Sequence, residues 1–263
     1  MKYKLNNFLI DGIKAKILAN KYSTPLYCYS LKKIKENIKN FQKNFQTIDP
    51  LICFAVKANP NKIILRQMGK LGLGADVVSI GELIRALKAG IKPNKIVFSG
   101  VGKTSYELIH AIKKNILLIN TESKSEILEI ERIAKTKKKR VNVGVRLNPN
   151  TDAKTLSQIS TGKKENKFGI PEKDLLHIVK YIKNSKYLNL KCLSVHIGSQ
   201  ITQNKPYEKV LTAINKILSR SNLPYCNNIL LISGILSLGK FSIRPDVFWN
   251  FSVSMESNLR LSL

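Results

Sequence analysis

The order of apolar and polar residues predicts an α/β fold, a (β/α)8 barrel in which a parallel sheet closes on itself. Three observations carry that expectation. Seven short apolar runs between residues 51 and 232, each the length of a buried strand, alternate with stretches of helical spacing. The units recur roughly every 25–40 residues, enough for one strand, one crossover helix and two loops. No glycine fingerprint for a dinucleotide follows the first of these strands, which counts against a doubly wound open sheet, the competing architecture. Because only seven strands are legible, the barrel is expected to be incomplete at its carboxyl-terminal end.

Residues 1–30 read as a short strand at Phe8-Leu9-Ile10, a helix over about 12–20, and a strand from Pro25 to Tyr29. Leu31, Ile34, Ile38 and Phe41 then recur at helical spacing. The run Leu51-Ile52-Cys53-Phe54-Ala55-Val56 is the first barrel strand, and Asn59-Pro60 turns the chain into a helix over 61–72. Ala75–Ser79 is the next strand, with a helix opening at Gly81. Lys95–Gly100 precedes a helix over 104–114, and Leu117–Asn120 precedes one over 123–136. Ser123 and Glu126 have the spacing of a capping box at the start of that last helix. Val141–Leu147 follows, then a long polar loop and a helix over 171–183 entered through Pro171. Leu188–Ile197, a helix over 205–219 and Asn228–Ile232 complete the series. From Gly239 to Leu263, a segment holding the one tryptophan, Trp249, no period of 2 or 3.6 persists.

Composition narrows the function. The net charge is +28, but 37 of the 45 basic residues are lysines and only eight are arginines, spread over most of the expected helices. Readers of phosphates and base edges favour arginine forks, so no specific nucleic-acid role is expected. The one dense run, Lys135–Arg140, falls at a helix end, where cations suit the helix dipole. No apolar run reaches the length of a membrane span and the amino terminus lacks the apolar stretch of a signal peptide, so a cytoplasmic protein is expected. Cys28, Cys53, Cys192 and Cys226 lie far apart with no CxxC pair, which points to free thiols and away from a metal site.

In a parallel barrel, chemistry gathers where strands end. Lys57 ends the first barrel strand, Asp76 lies in the second, Arg146 near the end of the fifth, and His196, Gly198 and Ser199 at the sixth; Gly234 follows the seventh. Taken singly, each has an ordinary reading. Lys57 is a strand-end lysine snorkelling to water, Asp76 a helix cap, Arg146 an ion-pair former and His196 a satisfied histidine. At the same end of successive strands, they define one mouth. A lysine in an apolar setting there is desolvated and freed to attack an aldehyde.

The segments Phe54-Ala-Val-Lys-Ala-Asn59, Gly74-Ala-Asp-Val-Val-Ser-Ile-Gly-Glu-Leu83, Val97-Phe-Ser-Gly-Val-Gly-Lys103, Ser160-Thr-Gly-Lys-Lys-Glu-Asn-Lys-Phe-Gly169 and His196-Ile-Gly-Ser-Gln200 give the chain its resemblance. In order and spacing they resemble the barrel domain of the diaminopimelate decarboxylases, pyridoxal-phosphate enzymes of the alanine-racemase-like barrel fold. The resemblance covers about residues 5–234. It implies pyridoxal 5′-phosphate as cofactor, bound covalently by Lys57, with the ring of His196 stacked on it, Asp76 near the lysine, and Ser199 and Gly234 toward its phosphate. It implies decarboxylation of meso-diaminopimelate, a small-molecule substrate, to L-lysine in lysine biosynthesis, by a homodimer. Residues 1–30 correspond to a segment that joins a β-domain in the family, residues 31–234 to the cofactor-binding barrel, and 235–263 to nothing in it, as a shifted reading frame would leave them. The family's glycine run after the seventh strand reads here Ser233-Gly234-Ile235-Leu236, and its carboxyl-terminal β-domain has no counterpart. As it stands, the chain is therefore expected to have little decarboxylase activity. A single barrel that binds the cofactor without decarboxylating, and another basic amino-acid decarboxylase of the same fold, are the alternatives.

Overall fold

The computed structural model describes residues 2–4, 7–43, 50–148, 168–196, 208–209, 212, 214, 229–233 and 249–253. The chain divides into two compact units, Met1–Thr47 with Lys240–Ser242, and Ile48–Gly239 with Ile243–Leu263.

The first unit holds an antiparallel sheet of β1 (Lys2–Lys4), β2 (Asn7–Ile10) and β3 (Ile13–Lys14), followed by helix α1 (Ala15–Tyr22). Asp11 and Gly12 join β2 to β3 with φ of 49° and 90°, the left-handed pair that a two-residue hairpin turn requires. Asp11 also anchors the next element. Its carboxylate accepts from Ser30 Oγ at 2.5 Å, while Ser30 Oγ accepts from Lys33 N at 2.9 Å and so caps helix α2 (Leu31–Gln42). The strand expected at Pro25–Tyr29 is not formed, and residues 26–30 are irregular. Leu26, Tyr27 and Tyr29 are all exposed, so no sheet face exists there to reward an extended, alternating segment.

The second unit is the barrel. Strand β4 (Leu51–Ala55) leads to helix α3 (Lys62–Lys70), β5 (Gly74–Val77) to α4 (Ile80–Lys88), β6 (Ile96–Phe98) to α5 (Ser105–Lys113), and β7 (Leu118–Thr121) to α6 (Lys124–Thr136). Strand β8 (Val141–Asn148) is followed by a two-residue strand β9 (Ile170–Pro171) against its end, helix α7 (Glu172–Asn184) and β10 (Leu188–His196). Residues 208, 209, 212 and 214 are helical, and β11 (Ile229–Ser233) comes next. Neighbouring strands are parallel throughout, as right-handed crossovers through helices demand.

The ring has an eighth strand that the sequence did not announce. Strand β12 (Trp249–Val253) lies parallel between β11 and β4, pairing Leu230 with Trp249 on one side and Val253 with Phe54 on the other. This corrects the expectation of seven barrel strands. The driving force is the backbone itself: β11 and β4 each present a row of N–H and C=O groups, and five extended residues satisfy both rows. Among the described residues no helix follows β12.

Inside the ring, Cys53, Val97, Leu118 and Cys192 form a fully buried layer. Cys53 and Cys192 are buried thiols outside any disulfide, and Cys28, in the first unit, is half-buried and likewise unbridged. Outside it, each helix buries one stripe, such as Ile127, Ile130, Ile133 and Ala134 of α6. The last two residues of the basic run at the end of α6 tie it to neighbouring segments. Lys139 Nζ donates to Asn115 Oδ1 at 2.7 Å and toward the last carbonyls of α5, and Arg140 Nε donates to Leu188 O at 3.3 Å. Among the described residues no helix is long and apolar enough to cross a membrane.

Candidate active site at the carboxyl-terminal mouth

Strand pleating decides which side chains reach the mouth. Asp76 lies two residues beyond Gly74 and opposite Val97 in register, so it shares the interior face with the buried layer. By the same alternation Asn120 follows Leu118, Ser194 follows Cys192, and His196 follows Ser194. Arg146 stands opposite Ser194. The interior thus changes from apolar to polar and charged toward the strand ends, the pattern of a barrel with its site at the carboxyl-terminal face.

Lys57 sits just past that layer. Strand β4 stops at Ala55, and Val56–Ala58 form a single 3-10 turn closed by Asn59 N donating to Val56 O at 3.1 Å. Asn59 Oδ1 accepts from Asn61 N, and Asn61 caps α3 through Ile63 N. The turn carries Lys57 out of the strand, and its side chain is exposed. The apolar enclosure expected from a strand-end position is therefore not what the described residues build; the extra turn lifts the amine clear of the packed layer.

What surrounds the amine is charge. Glu82, half-buried in the first turn of α4, accepts from Val78 N at 2.9 Å. Burial pushes its carboxyl above the usual carboxylate range; the Val78 hydrogen bond draws it down, Asp76 pushes it up and Lys57 draws it down. Lys57, Asp76 and Glu82 hence share one electrostatic neighbourhood. Asp76 is buried and is not the helix cap it resembles in isolation, because Ser79 Oγ takes that role by accepting from Glu82 N. Glu82 escaped notice in the sequence for a clear reason: three residues after Ser79 it reads as a capping partner.

The opposite flank is a network of buried polar groups. Ser194 Oγ donates to Asn120 Oδ1 at 2.7 Å across β8, where Gly144 leaves the space; a Cβ on Gly144 would fall 2.8 Å from that oxygen. Arg146 Nη1 donates to both Glu122 carboxylate oxygens at 2.8 and 3.0 Å, and its guanidinium carbon lies 5.0 Å from the centre of the Phe168 ring. Arg146 Nη2 is buried and has no hydrogen-bond partner among the described residues. Lys103 is buried beneath the rim and Glu126 beside it, the two joined at 2.6 Å. The structure thus brings Asp76, Arg146 and His196 to the interior face at the strand ends, with Lys57 in the turn beyond. Gly198, Ser199 and Gly234 lie outside the described residues.

An accessible amine beside two carboxylates, with a half-buried imidazole and a guanidinium holding an unpartnered Nη2 on the same rim, can engage an anionic carbonyl compound. An amine can bond to a carbonyl carbon, and a guanidinium can meet an anionic oxygen. The family model for the pyridoxal-binding domain of pyridoxal-dependent decarboxylases matches residues 31–233. This chain belongs to that family. It is 48% identical over 196 residues to the diaminopimelate decarboxylase of Helicobacter pylori strain J99, covering 74% of this chain and 48% of that one. Against the Aquifex aeolicus diaminopimelate decarboxylase the identity is 40% over 219 residues, covering 83% and 51%. The crystal structure of the Helicobacter pylori enzyme complexed with L-lysine superposes with a TM-score of 0.83 at 37% identity, covering 91% of this chain and 65% of that chain. The chain thus spans about half the length of the curated relatives it matches.

Proposed function

We propose that this chain is the cofactor-binding part of a diaminopimelate decarboxylase, holding pyridoxal 5′-phosphate at the barrel mouth through Lys57. The observation that carries the reading is the exposed Lys57 amine beside Asp76 and Glu82, inside a family match over residues 31–233. Pyridoxal phosphate, when bound, supplies the electron sink that decarboxylation of an amino acid needs. The rest falls to the protein. Lys57 Nζ is the amine that would hold the aldehyde, and Asp76 and Glu82 would stabilise that nitrogen whenever it is a free ammonium ion. Arg146 Nη2 offers a buried N–H to an anionic oxygen. His196, at the end of β10, would lie against the bound group and help fix its orientation at the mouth. Ser199 and Gly234, outside the described residues, would serve its phosphate. In the complete enzyme, the substrate is meso-diaminopimelate, the product L-lysine and the assembly a homodimer.

Two measurements test this. Borohydride reduction of the chain with pyridoxal 5′-phosphate, followed by peptide mapping, is expected to place the label on Lys57; label spread over many lysines, or absent from Lys57, would sink the assignment. CO2 release from meso-diaminopimelate is expected from a chimera carrying the carboxyl-terminal half of the Helicobacter pylori relative and to be far weaker from residues 1–263. A labelled chimera that releases no CO2 would leave cofactor binding standing and remove the decarboxylase reading.

A further inference from the structure

The backbone around residues 120–122 is gripped from one side and used from the other. Lys103 Nζ donates to Asn120 O at 2.8 Å, to Gly100 O at 2.5 Å and to Glu126 Oε1 at 2.6 Å, so its three protons are all spent. It also lies 5.7 Å from the centre of the Phe98 ring, and only 1% of its side chain is exposed. The second Glu126 oxygen accepts from Glu122 N at 2.8 Å. That contact replaces half of the expected capping box: Ser123 Oγ still accepts from Glu126 N, but the Glu126 carboxylate turns away to Lys103 and Glu122. Lys103 and Glu126 therefore hold the peptide groups on both sides of Thr121. The two side chains this segment sends inward are Asn120, bonded to Ser194, and Glu122, bonded to Arg146. Four largely buried charges, two of each sign, thus run in sequence from Lys103 through Glu126 and Glu122 to Arg146.

We propose that Lys103 and Glu126 are positioning residues that fix Glu122, and through it orient the free Nη2 edge of Arg146 toward the bound group at the mouth. The inference rests on the cofactor reading above. A buried charge left without its partner relaxes the groups around it, so loss of one clamp member turns the Glu122 carboxylate and lets the guanidinium rotate. The clamp touches neither reactant; it acts only by way of Arg146.

Glu126→Gln is the informative variant, because it keeps volume and helix position, whereas Lys103→Met removes a buried cation and risks the fold. Affinity for pyridoxal 5′-phosphate is measured by absorbance on the full chain, with folding checked by circular dichroism. Glu126→Gln is expected to weaken binding about tenfold while the label stays on Lys57. Added to Arg146→Met, the same substitution is expected to cost less than about a further twofold, since both act through one guanidinium. Unchanged affinity in Glu126→Gln, or a full additional loss on the Arg146→Met background, overturns the proposal. If the parent chain does not take the cofactor, the reading above falls, and the Arg146 side-chain Nε–H resonance decides the clamp alone. A guanidinium that is rotationally restricted in the parent and averaged in Glu126→Gln supports it; equal behaviour in both refutes it.

Discussion

At the scale of single residues, the mouth is governed by how deeply each charge is set. Asp76 and Arg146 are buried, Glu82 half-buried and Lys57 exposed. Glu82 has a carboxyl raised first by burial. A carboxyl with a raised folded value adds stability that is complete below its unfolded range, near pH ~4.3, and is lost as pH rises through the higher folded value. Glu82→Gln keeps the acceptor for Val78 N–H and removes the charge. It is therefore expected to stabilise the fold at about pH 7 by roughly a few tenths of a kcal/mol, discounted for solvent screening, with no gain below about pH 4. Urea unfolding of the two proteins across that range measures it, and a variant less stable than the parent at neutral pH would contradict this account of the site.

Helices and their ends set the next scale. Helix α5 starts in a full capping box: Thr104 Oγ1 accepts from Glu107 N, and Glu107 accepts from Thr104 N. Helix α6 is tied to it by Glu129, whose carboxylate accepts from Ser105 Oγ at 2.6 Å and from Arg132 Nε and Nη2 at 2.8 and 2.7 Å. Arg132 foremost, with Ser105, holds the Glu129 carboxyl down to about 2. A depressed carboxyl contributes above its unfolded value and loses that contribution as pH falls through the folded one. Glu129→Gln is accordingly expected to cost about 0.5 kcal/mol at neutral pH, as surface ion pairs do, and the gap should narrow between about pH 4 and 2. Chemical denaturation at neutral pH and at about pH 3 gives the comparison; a gap that widens toward the acid end would overturn it.

For the whole molecule, the decisive event is closure of the ring. Strand β12 supplies partners to β11 and β4 at once, and no local pattern encodes the pairing of Val253 with Phe54 near the other end of the chain. Ending the chain at residue 248 is expected to leave two sheet edges open, lower the thermal midpoint and promote association through those edges. Light scattering and a melting curve on the shortened chain test this; an unchanged midpoint would show that β12 contributes nothing to the barrel.

Much of this protein was legible in its residues alone, because the relevant physics is local. Apolar runs of strand length placed β4 to β8, β10 and β11, and capping residues such as Ser123 and Pro171 marked helix starts within a residue or so. The positions of Lys57, Asp76, Arg146 and His196 at strand ends followed from the same patterns. What the local pattern could not contain is what distant segments do to one another. Whether Trp249–Val253 becomes a strand depends on two unpaired edges, and whether Lys57 is enclosed depends on a turn that lifts it past the core. The role of Glu82, and the chain of charges from Lys103 to Arg146, exist only once register brings separate strands together. Periodicity decides which face a residue takes; only the closed sheet decides which other residue it meets there.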